Sequence, residues 1–202
     1  MEFQTVSKLD AATRQLHMAI RLYFQDADPL GVHTLACAAH GILEDLSRKR
    51  GLGNSLQSKG MGIQTGHHAS VTRAIKEAKA FLKHANRDSD AELTFHPDWT
   101  DFLMMDAIQL HLRLASTIDQ TDVIFLIWLS TKYPSVLLLD TTIFAPIAGG
   151  LRQLFSSREG SEKKRLFFKA IAKSQILSQA PADAKRKQKA DLKLVPKPPR
   201  GT

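Results

Sequence analysis

Residues 28–51 have the sequence DPLGVHTLACAAHGILEDLSRKRG, and this stretch decides the fold. Asp28 suits a helix N-cap, Pro29 suits the first helical turn, and Gly51 suits the left-handed position after a helix end. The cations at 48–50 lie where the helix dipole favours positive charge. The apolar positions recur at three- and four-residue steps, as on one face of an α-helix: Val32, Leu35, Ala36, Ala39, Leu43 and Leu46. The sequence therefore predicts a central helix, and its alanines and glycines allow other helices to approach closely.

A second amphipathic helix precedes the central one. Ser7, followed three residues later by Asp10, is related to a capping box and marks its start. Its predicted buried face comprises Leu9, Ala12, Leu16, Ala19, Ile20 and Tyr23, and the helix is expected to run to about residue 26. Only two residues then separate it from the central helix. So short a connection predicts an antiparallel helix pair.

The rest of the chain predicts more helices and no internal repeat. Residues 51–66 are rich in glycine and are expected to form a linker or lid between helices. Residues 123–133 fit a short buried helix, although their β-branched and aromatic side chains leave a strand open. The other helices are expected from about 68 or 70 to 86, from 97 or 98 to 115, in one or two pieces within 135–155, and from 159 or 161 onward. The predicted fold is an all-α bundle of five to seven helices spanning residues 1–177.

Positive charge is concentrated at the end of the chain. The formal net charge is +8, and residues 158–202 alone hold 13 Lys or Arg against four Asp or Glu. The rest of the chain is almost neutral, which weighs against a folded body that itself grips a polyanion. Residues 178–202, with four prolines and no aromatic residue, are predicted to be a disordered basic tail. Its cations could contact nucleic-acid phosphates weakly and without sequence preference, or could simply solubilise the protein: Lys185, Arg186, Lys187 and Lys189.

Cysteine content and hydropathy indicate a cytoplasmic protein. The single cysteine, Cys37, cannot form an internal disulfide and is expected to be a small buried apolar residue of the central helix. The N-terminus is too charged for a secretory signal. The most apolar region, 123–151, is broken by charges and prolines, so no membrane span and no membrane partner are predicted.

Four polar residues are candidates for chemistry at the predicted end of the third helix. Lys83, His84, Arg87 and Asp88 cluster there because Phe81 and Ala85 are expected to face the core. His84 could transfer a proton, with Asp88 orienting it and the cations holding a phosphate. The structural alternative is that the basic residues complement the helix dipole while Asp88 caps the helix or pairs with Arg87.

The histidines define no local metal site. His33 and His40 lie seven residues apart on the central helix, about 10 Å along its axis, too far for one ion to take both directly. A metal-binding HExxH pattern is absent. The sequence therefore assigns no metal ligand and no cofactor, and no local pattern specifies a site built from distant histidines and aspartates. A metal-dependent hydrolase using His33 and His40 ranks last among the function hypotheses.

Two segments carry a family resemblance. AATRQLHMAIRLYFQDADPLGVHTLACAAHGIL, residues 11–43, followed by AFLKHANRDSDAELTF, residues 80–95, resembles a family of uncharacterised bacterial proteins with an FFKHADRDPDA-like motif. More remotely, the helix pair with a short DP turn is similar to the HEPN superfamily. That resemblance implies a helical fold, a dimer, and nucleotide binding or RNA cleavage. The HEPN nuclease signature is Arg, four to six residues, then His; here Lys79 takes the place of Arg ahead of His84.

The resemblance leads to two function hypotheses. The preferred one is a non-catalytic, HEPN-like binding or interaction module that acts as a homodimer or with a protein partner. The alternative is a metal-independent ribonuclease. In that alternative His84 is the general base, Lys79 and Arg87 stabilise the developing phosphate charge, and Asp88 orients the base.

Overall fold

The fold is all-α, as predicted. A computed structural model describes residues 3–52, 65–84, 89–133 and 160–173, and every regular element in these ranges is a helix. The six helices are α1 (Lys8–Phe24), α2 (Pro29–Lys49), α3 (Thr65–Phe81), α4 (Trp99–Ala115), α5 (Gln120–Lys132) and α6 (Gly160–Lys173). The helical pieces predicted within 135–155 and the basic tail at 178–202 lie outside the described residues.

Each helix of the antiparallel pair α1–α2 begins at its predicted N-cap, Ser7 for α1 and Asp28 for α2. The Ser7 hydroxyl accepts a hydrogen bond from the Asp10 amide at 3.0 Å. The Asp28 carboxylate accepts from the amides of Leu30 and Gly31, at 2.9 and 3.1 Å. These bonds satisfy amides that the first helical turn leaves without partners. Helix α2 ends as expected, with Gly51 at a φ of +69°.

Small side chains let α1 and α2 pack closely. Four alanines of the pair are fully buried: Ala12, Ala19, Ala36 and Ala39. Larger residues beside them, such as Leu16 and Leu43, are also fully buried. Cys37 is 3% exposed and behaves as the small core residue that the sequence predicts. The other face of α2 packs on α4, so the pair forms one side of the core.

Helices α4 and α5 form a second antiparallel pair, joined by residues 116–119. Ser116 closes α4 in the left-handed conformation, with a φ of 55°. At the far end, the Lys132 amine donates to the carboxylates of Asp98 and Asp101, at 2.7 and 2.6 Å. The Tyr133 hydroxyl also donates to Asp101, at 2.8 Å. These bonds tie the end of α5 to the start of α4, and α5 is a helix, not the alternative strand.

An aromatic cluster attaches α6 to the bundle. Phe24 of α1 is 1% exposed, and its ring lies 5.9 Å from that of Trp128 in α5. The rings of Phe167 and Phe168 in α6 stack on it, at 6.2 and 5.0 Å. Contacts of this kind stabilise beyond the apolar area they bury. Phe24 therefore holds three helices together.

The boundaries of α3 differ from the sequence prediction. The helix begins at Thr65 rather than near 68 or 70 and ends at Phe81 rather than at 86. After Phe81 the backbone bonds tighten: the Leu82 amide donates to the Ala78 carbonyl, and the Lys83 amide to that of Ala80, three residues back. His84 therefore follows the helix instead of lying within its last turn.

Candidate metal centre

Three helices bring two histidines and one aspartate together at a polar point of the interior. His17 comes from α1, His111 from α4 and Asp122 from α5. The side chains of Asp122 and His111 are buried, at 0% and 6% exposed, and that of His17 is 12% exposed. We call these three residues the His–Asp centre.

Both oxygens of the Asp122 carboxylate are used within the centre. His17 Nε2 lies 3.1 Å from Oδ1, and His111 Nδ1 lies 3.0 Å from Oδ2. A carboxylate only accepts hydrogen bonds, so each of these ring nitrogens carries a proton and donates it. The two imidazole rings stand edge to face, 5.8 Å apart. One carboxylate therefore fixes the orientation of both rings.

Electrostatics keep Asp122 ionised. Burial by itself raises the pKa of this carboxyl, but the hydrogen bonds from His111 and His17, together with the electrostatic attraction of these two residues, hold the pKa below its usual value of 3.8. Asp122 also lies in the first turn of α5, where the helix dipole favours negative charge. A full negative charge is therefore present between the two imidazoles at neutral pH.

The surroundings of the centre differ on its two sides. Next to His111, the hydroxyl of the half-buried Thr13 lies 3.1 Å from Nε2, so both nitrogens of that ring are engaged. On the outer side, a carboxylate oxygen of Asp119 lies 4.0 Å from His17 Nε2, and that side chain is 50% exposed. Asp119 also caps α5 by accepting from the Thr121 amide at 2.8 Å. The centre thus opens to solvent beside His17 and Asp119.

The donor atoms of the His–Asp centre lie close enough together to be candidate ligands of one metal ion. The nearest ligand atoms of the three residues all lie within 4.8 Å of one another. In a tetrahedral zinc site with bonds of about 2.0–2.1 Å, neighbouring ligand atoms are roughly 3.3–3.4 Å apart. Each imidazole nitrogen lies near that separation from its own carboxylate oxygen, 3.1 Å from Oδ1 for His17 and 3.0 Å from Oδ2 for His111, and the set of three ligand atoms is held within 4.8 Å. An ion placed between the three atoms would replace the two protons that now hold them.

His33 and His40 each have a partner of their own on α4. His33 Nδ1 lies 2.9 Å from the hydroxyl of Thr100, and His40 Nε2 donates to Asp106 at 2.6 Å. All four side chains are buried. The structure therefore places the two histidines in separate hydrogen-bonded pairs.

The candidate catalytic residues from the sequence lie on and after α3. Lys79 is half-buried and lines a cavity with Cys37 and His40, and a methyl group on Gly41 would stand 3.4 Å from its amine. His84 is exposed, and no hydrogen bond or ion pair within the described ranges joins it to Lys79. Arg87 and Asp88 lie outside the described residues, as do the tail cations Lys185, Arg186, Lys187 and Lys189.

Sequence reasoning missed the residues of the centre because no motif contains them. Asp122 lies 105 residues from His17 and 11 from His111. Each of the three helices α1, α4 and α5 did carry one signal: a histidine or aspartate, residue types that can bind metals, next to apolar residues. Helix α5 shows it most clearly, since Asp122 directly precedes a run of apolar residues. Such signals become a site only once the packing of the helices is known.

Comparison with known proteins finds no matching family model, no matching curated protein and no matching solved structure. The family resemblances drawn from the sequence therefore stay predictions. Among the helices of the described ranges, none is both long enough and apolar enough to cross a lipid bilayer.

Proposed function

We propose that this chain is a metal-dependent helical protein whose His–Asp centre binds one divalent transition-metal ion, zinc being the best match. The observation that carries the proposal is the convergence of three ligand atoms, from three helices, within 4.8 Å. Two imidazole nitrogens and one carboxylate form a common protein ligand set of catalytic zinc. The metal-dependent class, ranked last on sequence alone, thus gains the most geometric support, with residues other than His33 and His40.

The solvent-exposed side of the His–Asp centre, next to Asp119, is the basis for the reaction class that we propose. Three protein ligands leave a fourth tetrahedral position, and the centre meets solvent where Asp119 is half exposed. Zinc lowers the pKa of a water bound in such a position to about 7, which supplies hydroxide at neutral pH. Asp119, with a carboxylate oxygen 4.0 Å from His17 Nε2, would be the residue to take up the proton that such a water would lose. Hydrolysis is therefore the proposed chemistry.

Metal titration of the stripped protein tests the proposal. The protein is freed of metal with a chelator and titrated with Zn²⁺ by calorimetry, and with Co²⁺, whose visible absorption reports tetrahedral coordination. We expect one equivalent of metal for the wild type. His17→Ala and His111→Ala should each weaken binding by more than about 100-fold, since losing a ligand costs more than changing a residue behind one. His84→Ala removes an exposed histidine and is the matched control, with binding unchanged.

The outcome separates the function hypotheses. A wild type that takes up no metal, or no more than the His17→Ala and His111→Ala variants, overturns the proposal. RNA incubated with the metal-free protein tests the ribonuclease alternative in the same preparation. Cleavage in chelator that His84→Ala abolishes would favour that alternative over a metal centre.

A further inference from the structure

The Thr13 hydroxyl stands behind the centre with two acceptors in reach. Its oxygen lies 3.1 Å from His111 Nε2 and 2.9 Å from the Leu9 carbonyl, one helical turn back on α1. A threonine hydroxyl has one proton, so it can donate fully to only one of the two. Which one it chooses depends on where the proton of the His111 ring lies.

Without a metal ion, the hydroxyl points at the ring. His111 Nδ1 donates its proton to the Asp122 carboxylate, and a neutral ring then carries no proton on Nε2. In that neutral tautomer Nε2 is an acceptor, and the Thr13 hydroxyl is the group in place to donate to it.

With a metal ion on Nδ1, the donor and the acceptor of the His111–Thr13 hydrogen bond are exchanged. The proton of the neutral ring is then on Nε2, which donates to the Thr13 oxygen. The hydroxyl proton turns to the Leu9 carbonyl, at 2.9 Å. His111 Nε2 and the Thr13 hydroxyl keep a partner in each state, and neither heavy atom has to move.

We propose that Thr13 is a positioning residue of the metal centre: it holds His111 with its proton on Nε2, so that Nδ1 is the nitrogen that binds the ion. The inference rests on the proposed function, since it concerns the metal-bound state. A side chain that cannot accept a hydrogen bond at position 13 leaves the Nε2 proton of the bound state buried without a partner. In the metal-free ring the same change leaves only an acceptor nitrogen unpaired, whereas in the bound state it leaves an N–H that the ion makes a stronger donor, so the loss is larger in the bound state. Metal binding is therefore weaker without the hydroxyl, although Thr13 does not touch the ion.

The chain contains a matched control for the local hydrogen bond. Thr34 of α2 donates to the carbonyl of Leu30, four residues back, at 2.8 Å, and its side chain is exposed. Within the described ranges no histidine contacts its hydroxyl. Thr34→Val thus removes the same helix contact as Thr13→Val but leaves the metal centre intact.

Zinc affinity and ring protonation test the inference. Thr13→Val should weaken Zn²⁺ binding about 10- to 100-fold, as outer-shell changes at metal histidines do. Thr13→Ser keeps the hydroxyl and should restore the affinity to within about threefold, a small part of that effect. Thr34→Val should match the wild type. Long-range ¹H–¹⁵N spectra of zinc-bound wild type should show the His111 proton on Nε2.

Failure of this inference is distinguishable from failure of the proposed function. If wild type binds zinc and Thr13→Val binds it equally well, or if Thr34→Val loses as much affinity as Thr13→Val, the role of Thr13 is refuted while the centre stands. A His111 proton on Nδ1 in the zinc-bound wild type refutes it without any variant. A wild type that binds no zinc overturns the proposed function itself.

Discussion

Acidification should destabilise this fold through His33. The side chain is fully buried, its ring packs edge-on against Phe95 at 5.1 Å, and Nε2 has no hydrogen-bond partner among the described residues. Burial lowers the pKa of His33 from 6.5 to about 4. The folded protein therefore keeps this imidazole neutral at a pH at which the unfolded chain protonates it.

The sign and size of the effect follow from proton linkage. A depressed histidine pKa contributes stability that is present above pH 6.5 and is lost as the pH falls toward about 4. The complete loss is about 3 kcal/mol, and about 2 kcal/mol of it falls between pH 7 and pH 5. Because domains of this size have about 5–15 kcal/mol of stability, the loss is easily measured.

The assay is urea unfolding at pH 7 and pH 5 for wild type and His33→Asn. Asparagine keeps a polar atom near the position of Nδ1, facing Thr100, but does not titrate. We expect the variant to lose about 2 kcal/mol less than the wild type between the two pH values. His84→Asn changes an exposed histidine and should follow the wild type. Equal losses in wild type and His33→Asn, within about 0.5 kcal/mol, would refute the assignment.

Two further predictions concern the core. Phe24→Ala should destabilise the protein by about 3–5 kcal/mol in urea unfolding, since the 1%-exposed ring joins three helices, whereas Phe3→Ala, at a fully exposed position, should change little. A cost for Phe24→Ala no greater than that for Phe3→Ala would contradict the packing described for α6. Burial raises the pKa of the Cys37 thiol to about 11, although Lys79 and Lys83 oppose it. Iodoacetamide should therefore alkylate the native thiol at pH 8 at least about 100-fold more slowly than the urea-unfolded one, and equal rates would show that the thiol is accessible.

Local signals were sufficient to predict most of the helices. The caps at Ser7 and Asp28, Pro29 in the first turn and Gly51 after the end are all properties of neighbouring residues. The buried face of the central helix also follows from spacing alone. The end of α3 could not be predicted from spacing, because the apolar spacing continues through Leu82 while the backbone hydrogen bonds have already changed to those of a turn. Side-chain periodicity does not report where the hydrogen-bond ladder stops.

The candidate His–Asp centre could not be predicted from the same local signals. His17 alone is an ordinary residue at the edge of an amphipathic helix, and Asp122 alone is an acidic residue in a first helical turn. Their 3.1 Å contact depends on how α1 packs against α5, which no local pattern encodes. The same holds for His40 and Asp106, which are 66 residues apart. The sequence could assign both histidines to helices but not their partners.

The sequence separation of 105 between His17 and Asp122 also sets the order of events during synthesis. At about 5–20 residues per second, a ribosome needs roughly 5–20 s to reach the carboxylate after the first histidine has been made. The α1–α2 hairpin has all its residues long before that and can pair while translation continues. The nascent chain can thus bury the alanines of the α1–α2 interface early, whereas the Asp122 carboxylate is added later. An ion at the proposed His–Asp centre can be held by all three ligands only after α5 has been made, and a product truncated before α5 keeps the helical hairpin but lacks the proposed carboxylate ligand.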